Sequence, residues 1–248
     1  LVGSEMCIRD SLDTVRENLP ATLRLVAEIL REPAFPEAEF EQLRQATLAG
    51  IEGQKSDPGS LAAIELVRHL NPYPAEHWYY NATLEERIER LKGLQLDEVR
   101  RCYRDMVGAS HGELVVVGDF DPDEIARLAA ELFGNWPSPV AFARIPQRYV
   151  SAVPLVRQIV TPDKANATLR AGLTLPLQDT DPDYPALVLA NYLIGGTSGA
   201  RLPRRIREQE GLSYSISSFF GASSFEPRAE FGVGAIFAPQ NRVSGIRP

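Results

Sequence analysis

The chain has 248 residues, 44% of them hydrophobic and 24% charged, and carries a net charge of −7. That length and composition allow one large or two modest hydrophobic cores in an ordinary globular protein. The acidic balance and the lack of a dense Lys/Arg stripe exclude a nucleic-acid coat, and no apolar run reaches the roughly 18 residues that cross a bilayer.

Residues 1–11, LVGSEMCIRDS, have neither a helical nor a strand period, and no basic-then-apolar signal order. They resemble translated sequencing-adapter read-through and are read as artefact or disorder. Asn18 stands at the cap of a helix over residues 19–31, with Pro20 in its first turn and Leu23, Val26, Ala27 and Leu30 on one face. EPAFP breaks the chain, and a second helix runs from about 36 to 54 until SDPGS ends it. A third covers 61–70 and is followed by the loop NPYPAEHWYYNAT. Short helices follow over 84–91 and 96–107. The second of these turns Val99, Cys102, Tyr103 and Met106 inward, which makes Cys102 a buried thiol.

ELVVVGDF is a continuous apolar run of the kind a buried strand gives. DPDEIARLAAELFGNW reads as a helix capped by Asp121, with Pro122 at its first position. From 137 to 154 the period vanishes and four prolines appear, marking a linker. Beyond it LVRQIVT and ATLRAGLTLPL read as strands, and DPDYPALVLANYLIGG as a helix closed by glycine. An Arg-rich helix turns at Gly211 into a strand starting at Leu212, and AEFGVGAIFA is a last strand. The order is α+β: residues 12–136 form a mostly helical unit with one short buried strand, and 155–248 an antiparallel sheet with helices on one face.

Little in this chain looks able to do chemistry. His69 and His77 are eight apart across Pro72 and Pro74, which matches neither a zinc helix nor a finger. YPAEH, Tyr73 to His77, mimics H-x-x-E-H with Tyr in the first place, but Pro74 opposes the required helix. His111 reads as a loop histidine. GGTSGARL follows a helix rather than a strand, so it reads as a helix end and turn rather than a phosphate cradle. Asp119/Asp121 and Asp181/Asp183 bracket prolines at helix starts, where capping is their role.

Four stretches, in this order, resemble the insulinase/pitrilysin family of zinc metallopeptidases. They are LVAEILREPAFPEAEFEQLRQATLAGIEGQKSDP, HLNPYP, ELVVVGDFDPDEIARLAAELFGNW and DPDYPALVLANYLIGGTSGARLPRRIREQEGLSYSIS. The resemblance implies that residues 12–136 are the C-terminal part of one lobe and 155–248 the N-terminal part of the next. In the family the zinc-binding Glu follows H-x-x-E-H, with a second acid seven residues before it. The matching positions here are Gly50 and Leu43, and the nearest acids, Glu41 and Glu52, do not restore the spacing. The fragment therefore resembles the degenerate third lobe and the fourth lobe of a four-lobe enzyme, with no cofactor of its own and zinc in a missing catalytic lobe.

The resemblance further implies that Arg207 and Tyr214 reach one cavity and hold a peptide substrate. Residue by residue the alternative is a solvated basic face and a Tyr214 packed beside Leu212 and Ile216. The partners implied are a peptide and the missing catalytic half or an active protease subunit, in a periplasmic or envelope setting. The other function implied is an inactive scaffold or core subunit.

Overall fold

The computed structural model describes residues 10–241; Cys7 and most of the 1–11 segment lie outside them, as does the end from 242. The chain forms two compact units, Leu1–Thr47 with Glu89–Arg144, and Leu48–Ile88 with Ile145–Pro248. The sequence places a single break at 137–154. The chain passes between units three times, and only the passage at 144/145 falls in that proline-rich stretch. The other two lie inside continuous helices, where no breaker residue marks them.

In the first unit, α1 (Leu19–Arg31) buries Leu19, Leu23 and Ala27. Leu19 and Leu23 meet Ile125 and Leu128 of α6 (Pro122–Phe133), with Val116, Phe120 and Leu132 packed around them. Asp121 caps α6, accepting from the N–H groups of Asp123 (3.0 Å) and Glu124 (3.1 Å). Asn18 holds the cap position of α1, but its side chain makes no cap bond, because a 3-10 turn at Arg16–Asn18 leads directly into the helix. α2 (Glu37–Gln54) and α4 (Leu84–Gly93) each run from one unit into the other.

Two expectations fail in this unit. α5 (Leu96–Met106) half-buries Val99 and Tyr103 but leaves Cys102 and Met106 exposed. Tyr103 fixes the helix rotation: its hydroxyl donates to Leu30 C=O (2.7 Å), its ring meets Phe35 edge-on at 5.3 Å, and burial raises its pKa. The apolar stripe is thus narrower than its residue types suggest. Residues 113–120 form no strand, and Val117 is 91% exposed. Only Val116 and Phe120 of this run join the core, since no described strand lies beside it to complete a ladder.

In the second unit, α3 (Pro58–Leu70) begins three residues earlier than the apolar period indicates. Asp57 accepts from Ser60 N–H (2.6 Å), and Pro58 fills the first turn. The stretch read as a helix stop is therefore also a helix start. The sheet consists of β1 (Ala167–Leu175), β2 (Ser215–Ala222) and β3 (Ala229–Phe237), antiparallel in the order β1-β3-β2. Residues 155–161, read as a strand, are irregular, and Val156 is fully exposed.

Register sorts the sheet's two faces. Leu169, Ile216, Val233, Ala235 and Phe237 share one face and pack on Ile206 of a π-helix, Pro203–Gln209. α7 (Tyr184–Ile194) joins that face, with Asn191 bonded to Ser218 and Tyr184 beside Phe220. The sequence places helices on one face only; the structure adds α3 to the other. There the missing side chain of Gly172 leaves its Cβ position 3.3 Å from Leu70 and 3.4 Å from Leu66. A buried Arg228 ties the unit together, donating to Asn71 Oδ1 (2.8 Å) and lying 3.6 Å from Glu230.

Candidate functional site

The helix read from the Arg-rich segment is a wide π-turn. Glu210 N–H bonds Arg205 C=O (3.1 Å), and Leu212 N–H bonds Ile206 C=O (2.9 Å). It ends at Gly211, whose φ of +62° is a left-handed conformation that glycine adopts without a Cβ penalty. The corner seen in the sequence is real, but the strand after it starts at Ser215 rather than Leu212.

The three residues between corner and strand decide where Tyr214 points. Ser215 lies opposite Ile236, yet Tyr214 N–H also donates to Ile236 C=O (2.9 Å). Two residues thus face one, the pattern of a β-bulge. The bulge flips the side-chain phase: Ser213 is buried, with its hydroxyl 2.7 Å from Ile236 O, and Tyr214 is 80% exposed. Strict alternation would have packed Tyr214 beside Ile216.

Beside this corner lies an open cleft of ≈ 270 Å³. Residues 195–198 form one wall, Pro203 and Arg207 another, and residues 215–217 of β2 the floor. Arg207 is exposed and has no ion-pair or hydrogen-bond partner among the described residues, whereas Arg205 is paired with Glu210. The lining offers the hydroxyls of Thr197, Ser198, Ser215 and Ser217, and no carboxylate. Tyr214 is not among the lining residues, so the cleft brings together Arg207 and the two residue pairs on either side of it. The hydroxyl-bearing wall lies in GGTSGARL. Its glycines signalled a turn, but only the fold carries that turn to the edge of β2.

Gly195 holds the wall in place. Its C=O accepts from Ser218 N–H (3.0 Å). A Cβ on Gly195 would meet Ser218 Oγ at 2.6 Å and Ser218 N at 2.8 Å. Asn191 C=O accepts from both Gly195 N–H (3.0 Å) and Gly196 N–H (2.9 Å), closing the end of α7.

Leu43 is exposed, and Gly50 has nothing within 4 Å of its Cβ position. Neither side chain has a donor atom for a metal, so the donor set that zinc would need is not built at these positions. Glu41 is engaged by Gln45 and Arg44, with Gln45 chiefly holding its carboxyl below the usual range, and Glu52 pairs with Lys55 at 3.0 Å. Tyr73 and His77 lie in an irregular loop, their rings stacked at 4.3 Å. His69 Nε2 is 2.8 Å from Val153 O, and His111 lies beside Phe142. Among the described residues no group of three or more His, Cys, Asp and Glu is placed to hold a metal ion.

Comparison with known proteins settles the lineage. Residues 93–246, well over half of the chain, match the family model of the peptidase M16 inactive domain. The chain belongs to the peptidase M16 inactive-domain family. The non-peptidase homolog YmxG of Helicobacter pylori is 23% identical to this M16 chain over 235 residues, covering 90% of it and 52% of the relative. The crystal structure of a peptidase M16 inactive domain from Pseudomonas fluorescens superposes with a TM-score of 0.73 at 24% identity, covering 93% of this chain and 54% of that one. Pitrilysin superposes with a TM-score of 0.55 at 18% identity, over 92% of this chain and 24% of its own. The M16 chain thus shares the fold of these structures and spans about half the length of the curated relative.

Proposed function

We propose that this chain is the non-catalytic part of an M16 peptidase, which encloses a peptide substrate and holds it with Arg207 and Tyr214. One observation carries the reading: an exposed Arg207, unpaired among the described residues, lines a cleft whose walls offer hydroxyls and no competing carboxylate. A guanidinium presents a rigid fork of donors that fits a peptide carbonyl or carboxylate. The phenol of Tyr214, lifted out of the sheet by the bulge, is a free donor for a second peptide oxygen or for an oxyanion. On this reading hydrolysis belongs to another part of the protein, which the lack of metal donors at Leu43 and Gly50 supports.

The test is peptide binding by the chain with and without these groups. R207Q and Y214F are each expected to weaken binding of an unstructured peptide about 5- to 10-fold, as loss of one or two hydrogen bonds does. Both side chains are exposed, so folding stability should stay within about 0.5 kcal/mol. Unchanged affinity in both variants overturns the reading. Elemental analysis should find no stoichiometric zinc, and one zinc per chain would equally overturn it.

A second reading is an inactive scaffold or core subunit beside an active protease subunit. The exposed apolar side of α7, with Leu189, Tyr192 and Leu193, favours it, as does the name of the Helicobacter relative. The coding sequence upstream discriminates: an in-frame H-x-x-E-H supports the peptidase, and a complete chain without one supports the scaffold.

A further inference from the structure

α7 differs in kind from the other described α-helices. Its sequence, YPALVLANYLI, is the one among them with no charged side chain. A helix that is apolar all round belongs in an interior. Only one side of α7 meets β2, where Asn191 bonds Ser218 and Tyr184 lies beside Phe220. The other side carries Leu189, Tyr192 and Leu193, each more than half exposed. Their spacing of three and four residues makes them one ridge, the kind of surface on which a second helix packs. The turn after α7 extends that ridge into an open groove, to which Ala200, Arg201 and Arg204 also belong. Gly199 is part of the same lining, and nothing stands within 4 Å of its Cβ position, so a partner backbone has room to approach.

The charges of the groove select its partner. The side chains of Arg201 and Arg204 are exposed and have no ion-pair or hydrogen-bond partner among the described residues, and the lining holds no carboxylate. Two unanswered cations thus stand beside an apolar ridge, on a chain whose net charge is −7. An anionic bilayer is broad enough to feel that net charge as repulsion. A single helix in the groove lies within about 8 Å of the arginines, the screening length at physiological salt, and feels chiefly them. We propose that this groove docks an acidic amphipathic helix of a partner protein, with its apolar stripe on Leu189, Tyr192 and Leu193 and its carboxylates on Arg201 and Arg204. The groove is separate from the Arg207 cleft, since the two linings share only Thr197. The inference rests on the scaffold reading above, not on peptide holding, and names the chemistry of the scaffold's partner.

The experiment titrates the chain into two fluorescence-labelled helical peptides of about 18 residues, long enough to hold a helix. Both carry leucines spaced three and four apart; one is flanked by Glu and the other by Lys. The Glu peptide is expected to bind ~10-fold more tightly, as two ion pairs do when set against two like-charge contacts. Added salt should narrow the difference. R201E/R204E should reverse the preference, and L189S/L193S should abolish binding of both peptides. R207Q, in the other cleft, should change neither. Equal affinity for the two peptides overturns the acidic-partner inference; if L189S/L193S still abolishes both, the scaffold reading keeps an apolar interface. If neither peptide binds and sedimentation shows a dimer that L189S/L193S breaks, a second copy fills the groove and the inference falls. It falls equally if neither binds to a monomeric chain, or if only phosphatidylserine vesicles bind there. In those cases the upstream coding sequence still decides the scaffold reading.

Discussion

Asp57 shows how much one residue can decide. It is an acceptor placed one residue before Pro58, and it starts α3 where the hydrophobic period gave no signal. Its bond from Ser60 N–H is the main cause holding its carboxyl below the ordinary 3.8. A lowered folded-state pKa means the cap is fully stabilising above pH 3.8, and that this contribution is lost as pH falls through the lower folded value. D57A is therefore expected to cost about 1 kcal/mol near neutral pH in urea unfolding. The D57A deficit should shrink as pH falls below 3.8 and vanish once pH passes the lower folded value, where the native carboxyl itself becomes protonated. Tyr214 makes the complementary point. Its residue type and its two-residue spacing from Ile216 both suggested packing, and a bulge one position away reversed its orientation.

At the scale of elements, strands proved harder to read than helices. Helices satisfy their backbone internally, so α1, α2, α4, α5, α6 and α7 appear close to their expected positions. A strand exists only beside a partner. The two Val-rich runs at 113–120 and 155–161 have the composition of strands but no ladder among the described residues. Contacts between elements give two predictions. G195A places a methyl against Ser218 backbone that cannot swing aside, so it should destabilise the second unit by about 1–3 kcal/mol and weaken peptide binding by displacing the cleft wall. R228A leaves the buried Asn71 and the part-buried Glu230 without their cation, and should cost about 3 kcal/mol in denaturant unfolding. The conservative R228K should recover only part of that loss, because the guanidinium serves two partners at once.

At the scale of the whole molecule, many large apolar side chains among the described residues lie uncovered. Val115, Val117 and Val156 are exposed, and α7 presents Leu189 and Leu193 to solvent. The chain is expected to bind a hydrophobic dye in its native state and to self-associate with rising concentration. Lysine at Val117 and Val156 should reduce both effects while changing stability by less than about 0.5 kcal/mol; an unchanged dye signal would show that these faces are covered. The sequence alone determined the α+β order, the family, the glycine corner at Gly211 and the absence of metal-binding carboxylates at Leu43 and Gly50. These depend on residue identity and on periods of a few positions, which a linear reading detects. Tertiary structure alone decided that Cys102 is exposed, that Tyr214 turns out of the sheet, that α3 covers the second face, and that residues 195–198 form a wall beside Arg207. Each of these depends on which distant segment lies alongside, and no local pattern in the chain encodes that.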